Sequence, residues 1–77
     1  MPKAFVLINV ESGSEEEVLG LIRKIEGVED AYYSYGAYDI IIKVKADSME
    51  KLRDTITRKI RTIGRVRSTL TLIMMEE

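Results

Sequence analysis

The run Tyr35-Gly36-Ala37-Tyr38-Asp39, followed at once by the alternating segment from Ile40, is where this sequence concentrates its chemistry. It sets a carboxylate beside a glycine bend. There the charge can either meet a small molecule or close the turn through its own backbone, as aspartate readily does. The 77 residues include no histidine and no cysteine, so disulfides have no donors and a structural zinc site lacks its usual ligands. Neither a phosphate-cradling glycine loop nor a nucleophile and base set stands out, and no carboxylate pair rises above generic surface groups. A small-molecule sensor or an assembly module is expected before an enzyme, with no cofactor and no metal.

The elements that hold this turn must fit into a single domain, residues 1–77. A domain of this size buries only about 60 to 65 percent of the surface its unfolded chain exposes, so its core alone is marginal. Without a disulfide or a metal, the remaining stabilising device is association with another copy. Hydrophobic residues make up 45% and charged residues 32%, which is globular rather than disordered. No apolar run approaches the roughly 18 residues of a membrane span, and no signal peptide opens the chain; a cytoplasmic protein with no membrane partner is expected. Glutamine is absent and asparagine occurs only as Asn9.

Residues 3 to 10 form a continuous apolar run rich in β-branched side chains, which predicts a central strand buried on both faces. Ser14 and Glu17 have the serine-x-x-glutamate spacing of a capping box, and Val18, Leu21, Ile22 and Ile25 follow at helical spacing, with Gly27 as the left-handed residue that ends the helix. Val28 to Tyr35 predicts a second strand, Gly36-Ala37 a tight hairpin turn, and Tyr38 to Lys45 a third strand. Period-two geometry puts Tyr38, Ile40, Ile42 and Val44 toward the helices and Asp39 on the other side of the sheet. Asp47 with Glu50 resembles a second capping box, opening a helix whose stripe is Met49, Leu52, Ile56, Ile60 and Ile63, closed by Gly64. Val66 to Met75 predicts the last strand, with Ser68, Leu70, Leu72 and Met74 on one face and Thr69, Thr71, Ile73 and Met75 on the other.

The order is therefore βαββαβ, with helices of about 13 to 16 residues. It predicts an α+β, ferredoxin-like sandwich: a four-stranded antiparallel sheet with two helices on one face. An antiparallel sheet facing water should be polar on that side, yet the first and last strands carry apolar residues on both. A second copy of the same sheet is the expected cover.

Gly27-Val28, the strand to Tyr35, the turn Gly36-Ala37-Tyr38-Asp39 and the late run Val66-Arg67-Ser68-Thr69-Leu70-Thr71 together resemble the effector (RAM) domain of the Lrp/AsnC family, over essentially the whole chain. The resemblance implies an amino-acid effector, pairing into homodimers through the sheets, and assembly into a higher-order ring of dimers that binds amino acids between subunits. Carried over residue by residue, it implies ligand contacts at Gly36, Tyr38, Asp39, Thr69 and Thr71. Asp39 would accept from the ligand ammonium, while the Gly36 amide and the two threonine hydroxyls would donate to its carboxylate. The sequence shows no helix-turn-helix ahead of the first strand, so a stand-alone effector domain is expected, one that could join full-length regulators of the family. Tyr35 departs from the small residue that family members usually place before the glycine.

Two other readings compete. An ACT-like regulatory domain has the same order of elements. A nucleic-acid-binding or assembly adaptor would instead use the segment from Lys51 to Arg67, where seven basic residues against Asp54 alone give +6 and leave −7 for the rest of a chain whose net charge is −1. A solvated helix face is the commoner origin of such a segment. Tyr32, Tyr33, Tyr35 and Tyr38 could stack on bases, but the glycine and aromatic signature of RNA-binding sheets is absent. No specific DNA binding is expected.

Overall fold

A computed structural model describes residues 1–74; Met75, placed by the sequence reading at the end of the last strand, lies outside them. The elements are β1 (Lys3–Val10), α1 (Glu15–Ile22), β2 (Val28–Tyr33), β3 (Ile40–Lys45), α2 (Met49–Asp54) running into a π-helical segment (Thr55–Ile60), and β4 (Val66–Met74). The sheet order is β2-β3-β1-β4, with every neighbouring pair antiparallel. This is the expected four-stranded ferredoxin-like sheet with β1 at its centre.

Strand alternation sorts β1 cleanly. Ala4, Val6 and Ile8 are fully buried and Val10 nearly so, while Lys3, Phe5, Leu7 and Asn9 on the other face are only half-buried. The closed side joins Ile40, Ile42 and Val44 of β3 and Ala31 of β2 to Val18, Leu19 and Ile22 of α1 and to Leu52, Ile56 and Ile60 beyond β3. Both helices thus pack on one face, and within a single chain β1 is buried on that face only.

The helices are shorter than their apolar spacing suggests. Eight residues of α1 bury Val18, Leu19 and Ile22, so Leu21 is exposed and Ile25 packs from the following turn. Ser14 occupies the N-cap position without a side-chain bond. Its ψ of 2° departs from the extended geometry that swings a capping hydroxyl over the free amides, so only its main chain engages, as acceptor from the Val18 N–H. The second cap falls one residue later than expected. Ser48 is extended and its hydroxyl accepts from the Lys51 N–H at 3.2 Å, while Asp47 pairs with the Lys51 ammonium at 4.0 Å.

Leu52, Ile56 and Ile60 recur every four residues, and on an α-helix of 3.6 residues per turn that spacing drifts by about 40° per step. The wider π turn takes back this drift, which keeps all three side chains on the sheet; the Arg61 N–H bonds the Ile56 carbonyl at 3.0 Å across the wider loop. It also buries Thr55 beside Gly27. At φ +99°, Gly27 brings its backbone so close to β3 that an added Cβ would lie 3.2 Å from the Lys45 carbonyl oxygen.

The second sheet face carries an apolar patch that no element among the described residues covers. Phe5 sits between Lys43 and Leu72, and Leu7 between Ile41 and Leu70, with Met74 beyond. Leu70, Leu72 and Met74 are 43%, 49% and 42% exposed. No helix among the described residues is long and apolar enough to cross a membrane.

Candidate functional site

The tight hairpin expected at Gly36-Ala37 is instead a longer loop, residues 34–39, between β2 and β3. Gly36 has φ +118°, a conformation that side-chain-bearing residues rarely adopt, and open space surrounds it. Tyr35 at the tip is fully exposed, and Tyr32 and Tyr33 are about half exposed, so these aromatics contribute little to the core.

Asp39 anchors the return of the loop. Its N–H donates to the Ile8 carbonyl at 2.9 Å and its own carbonyl accepts from the Ser34 N–H at 2.8 Å, fixing the loop base to β1. The side chain goes further: Oδ2 accepts from the Val10 N–H at 2.9 Å. That bond coincides with a bulge in the β1–β4 ladder. Asn9 faces Ser68 but Val10 faces Val66, so Arg67 is an extra residue on β4. On the other side of β1, pairing with β3 ends at Ile8 and Ile40, and Asp39 satisfies the Val10 amide that points there.

Around this junction lies an open cleft of about 410 Å³ lined by Asn9, Val10, Asp39, Arg67 and Ser68. The Asn9 amide donates to the Ser68 hydroxyl at 3.3 Å across its floor. Asp39 keeps Oδ1 without a partner among the described residues. The cleft therefore offers an anionic acceptor, a guanidinium, an amide and a hydroxyl within one chain.

Of the five residues singled out in the sequence, only Asp39 lines this cleft. Gly36 and Tyr38 belong to the adjoining loop. Thr69 and Thr71 face Ile8 and Val6 in the ladder, on the helix side of the edge strand β4, and a single chain does not bring them to Asp39. Asn9, Arg67 and Ser68 were missed. Asn9 carried a signal, as the one asparagine of the chain interrupting an apolar strand; Arg67 carried none, because a bulge is invisible to simple alternation.

The basic segment is partly neutralised. Lys51 pairs with Asp47, Arg58 with Asp54 at 3.1 Å, and Arg65 with Glu11 and Glu17 at 3.7 and 3.9 Å. No cluster of three metal-ligating side chains occurs among the described residues.

The family model for the Lrp/AsnC ligand binding domain matches residues 3–77. Regulatory protein AsnC of Escherichia coli K12 is 34% identical over 73 residues, covering 94% of this chain and 48% of AsnC. An HTH-type transcriptional regulator of Pyrococcus furiosus is 36% identical over 73 residues, covering 91% of this chain and 49% of the regulator. The chain thus spans about half the length of the curated relatives it matches. Among solved structures, FFRP-DM1 superposes with a TM-score of 0.94 at 37% identity, covering 97% of this chain and all of that one. The structure of E. coli AsnC superposes at 0.90 with 32% identity, covering 99% of this chain and 52% of AsnC. The two curated relatives are regulatory proteins, and the half they share with this chain is the part that the ligand-binding family model describes. Sequence and fold together place the chain in the Lrp/AsnC family, as a ligand-binding domain.

Proposed function

We propose that the chain is an amino-acid-responsive module that self-associates and modulates transcription or metabolism through partner proteins. The observation that carries this reading is Asp39: it lines the cleft, one carboxylate oxygen accepts from the Val10 amide and the other has no partner among the described residues, which suits a fixed anionic acceptor for a ligand ammonium. The fixed oxygen holds the carboxylate rigid, so little rotamer freedom is lost on binding.

Self-association completes the picture. Pairing through the open face would bury Phe5, Leu7, Leu70, Leu72 and Met74, which a single chain leaves partly in water. Thr69 and Thr71 lie on the other face of an edge strand, where a further copy could present them to a ligand held by a neighbour's Asp39. A ring of dimers would supply that geometry. Full-length regulators of the family are the partners that the length of the relatives suggests.

Calorimetric titration with each of the twenty amino acids, combined with sedimentation, tests this reading. Saturable heat with at least one amino acid and a mass of at least a dimer are expected. Binding to none of them, together with steeply salt-dependent binding to RNA or DNA, would favour the adaptor reading.

A further inference from the structure

We propose that a second cleft, at the far end of β3 from Asp39, binds a phosphate group, free or carried by a small molecule. The site is separate from the amino-acid cleft and independent of that reading: β3, six residues long, holds the two about 20 Å apart. The far cleft has a volume of about 510 Å³, a size that takes a small ligand, and its lining includes Gly27, Lys45, Thr55 and Lys59. Thr55 is only 8% exposed; its hydroxyl has no hydrogen-bond partner among the described residues, yet it is not sealed from solvent. A hydroxyl buried this far ordinarily finds a partner. Gly27 leaves it uncovered, since a Cβ there would stand 3.8 Å from the hydroxyl oxygen. The charges around this donor are unequal once their partners are counted. Asp47 is paired with Lys51 and Asp54 with Arg58, while Lys45 and Lys59 form no ion pair among the described residues and Glu26 is the one carboxylate of the lining left over. The cations of this lining are lysines, with no arginine among them. Lysine is a point charge that meets phosphate oxygens from many directions, whereas a planar carboxylate suits the fork of arginine. A phosphate brings enough acceptor oxygens to meet two ammonium groups and the Thr55 hydroxyl at once, and Glu26 is left to accept from a hydroxyl elsewhere on the ligand.

The test follows backbone amide NMR shifts of the full chain during titration with inorganic phosphate, ribose 5-phosphate and ribose, in wild type, Thr55→Val and Lys59→Gln. Ionic strength is held constant, which separates a site from general screening of surface charge. Saturable shifts centred on Gly27, Lys45 and Thr55 are expected with both phosphates and not with ribose. Lys59→Gln is expected to weaken binding tenfold or more and Thr55→Val about fivefold. Lys59 is exposed, so Lys59→Gln should melt with the wild type and keeps the test decisive even where Thr55→Val disturbs the packing. Tighter binding of ribose 5-phosphate than of inorganic phosphate would assign the site to an organic phosphate, and equal binding to the free anion. No saturable shift with either phosphate, shifts spread over all the lysines, or affinity unchanged by either substitution would overturn the proposal. The amino-acid titration tests the other cleft, and its failure leaves this one standing.

Discussion

Ile8 and Leu7 are neighbours on the same strand, yet they belong to two different surfaces. The helix side of the sheet is closed, with Ile8 at 0% exposure among aliphatic partners from both helices. The other side carries an apolar patch flanked by Lys3, Lys43, Lys45 and Asn9 and stops at the edge of the molecule, with Leu70 and Leu72 still 43% and 49% exposed. Apolar composition is the same kind of signal on both faces, and only the number of helices decides which one the chain can cover itself. The closed face accounts for folding, and the open face is free for association. The function proposed here depends on keeping those two roles separate.

The comparison is broken most forcefully on the closed side. Ile8→Ala removes a fully buried side chain from a small core and should destabilise by about 2–5 kcal/mol, enough to leave much of a domain this size unfolded. Urea denaturation checks it, and a loss well under 1 kcal/mol would mean that the closed face is not the core. On the open side, Leu72→Glu should change the stability of the single chain by no more than about 0.5 kcal/mol while reducing the sedimenting mass to that of a monomer. A wild type already monomeric at micromolar concentration would remove the self-association claim.

Asp39 lies where the two roles meet, and its substitutions sharpen the contrast. The bond from the Val10 amide ties Asp39 to the fold as well as to the cleft. Alanine strips the Val10 amide of its acceptor just past the end of the β1–β3 pairing and should cost roughly 1–3 kcal/mol in addition to any loss of ligand. Unchanged melting of Asp39→Ala would show that water replaces the carboxylate at no cost.

The smallest effect lies at the β2 edge. Desolvation against the sheet, then the charge and hydrogen bond of Asp30, hold the Tyr32 phenol above its ordinary value of 10.0. The folded state therefore favours the protonated phenol, a contribution present below the unfolded pKa and lost as pH rises through the higher folded one. Tyrosinate absorbance should show this late ionisation, and Asp30→Asn should move it toward lower pH. An Asp30→Asn titration that overlays the wild type would remove Asp30 as a cause.

How far the sequence carried depends on which physics each feature uses. The βαββαβ order and the even-numbered core of β1 and β3 were legible because period-two burial is written residue by residue. Asp39 was legible as a charge at a glycine bend. The hairpin was misjudged because the extent of a loop depends on bonds from Asp39 to β1, which are long-range. Thr69 and Thr71 were rightly placed opposite the Ser68 face, but their separation from Asp39 only becomes plain once the ladder register is known. Arg67 was hidden because a one-residue insertion in a strand leaves no periodic trace. The π segment left only the four-residue spacing of Leu52, Ile56 and Ile60, which an α-helix was expected to absorb.

The central claim is that the Asp39 charge, separately from its role in the fold, receives an amino-acid ammonium. Asp39→Asn isolates it, since the amide oxygen can still accept from Val10 while the charge is gone. Calorimetric titration of wild type and Asp39→Asn with the twenty amino acids, alongside their melting curves, is the direct measurement. Similar melting with affinity weakened about 10- to 150-fold is the expected result. Amino-acid affinity equal in the two proteins would contradict it.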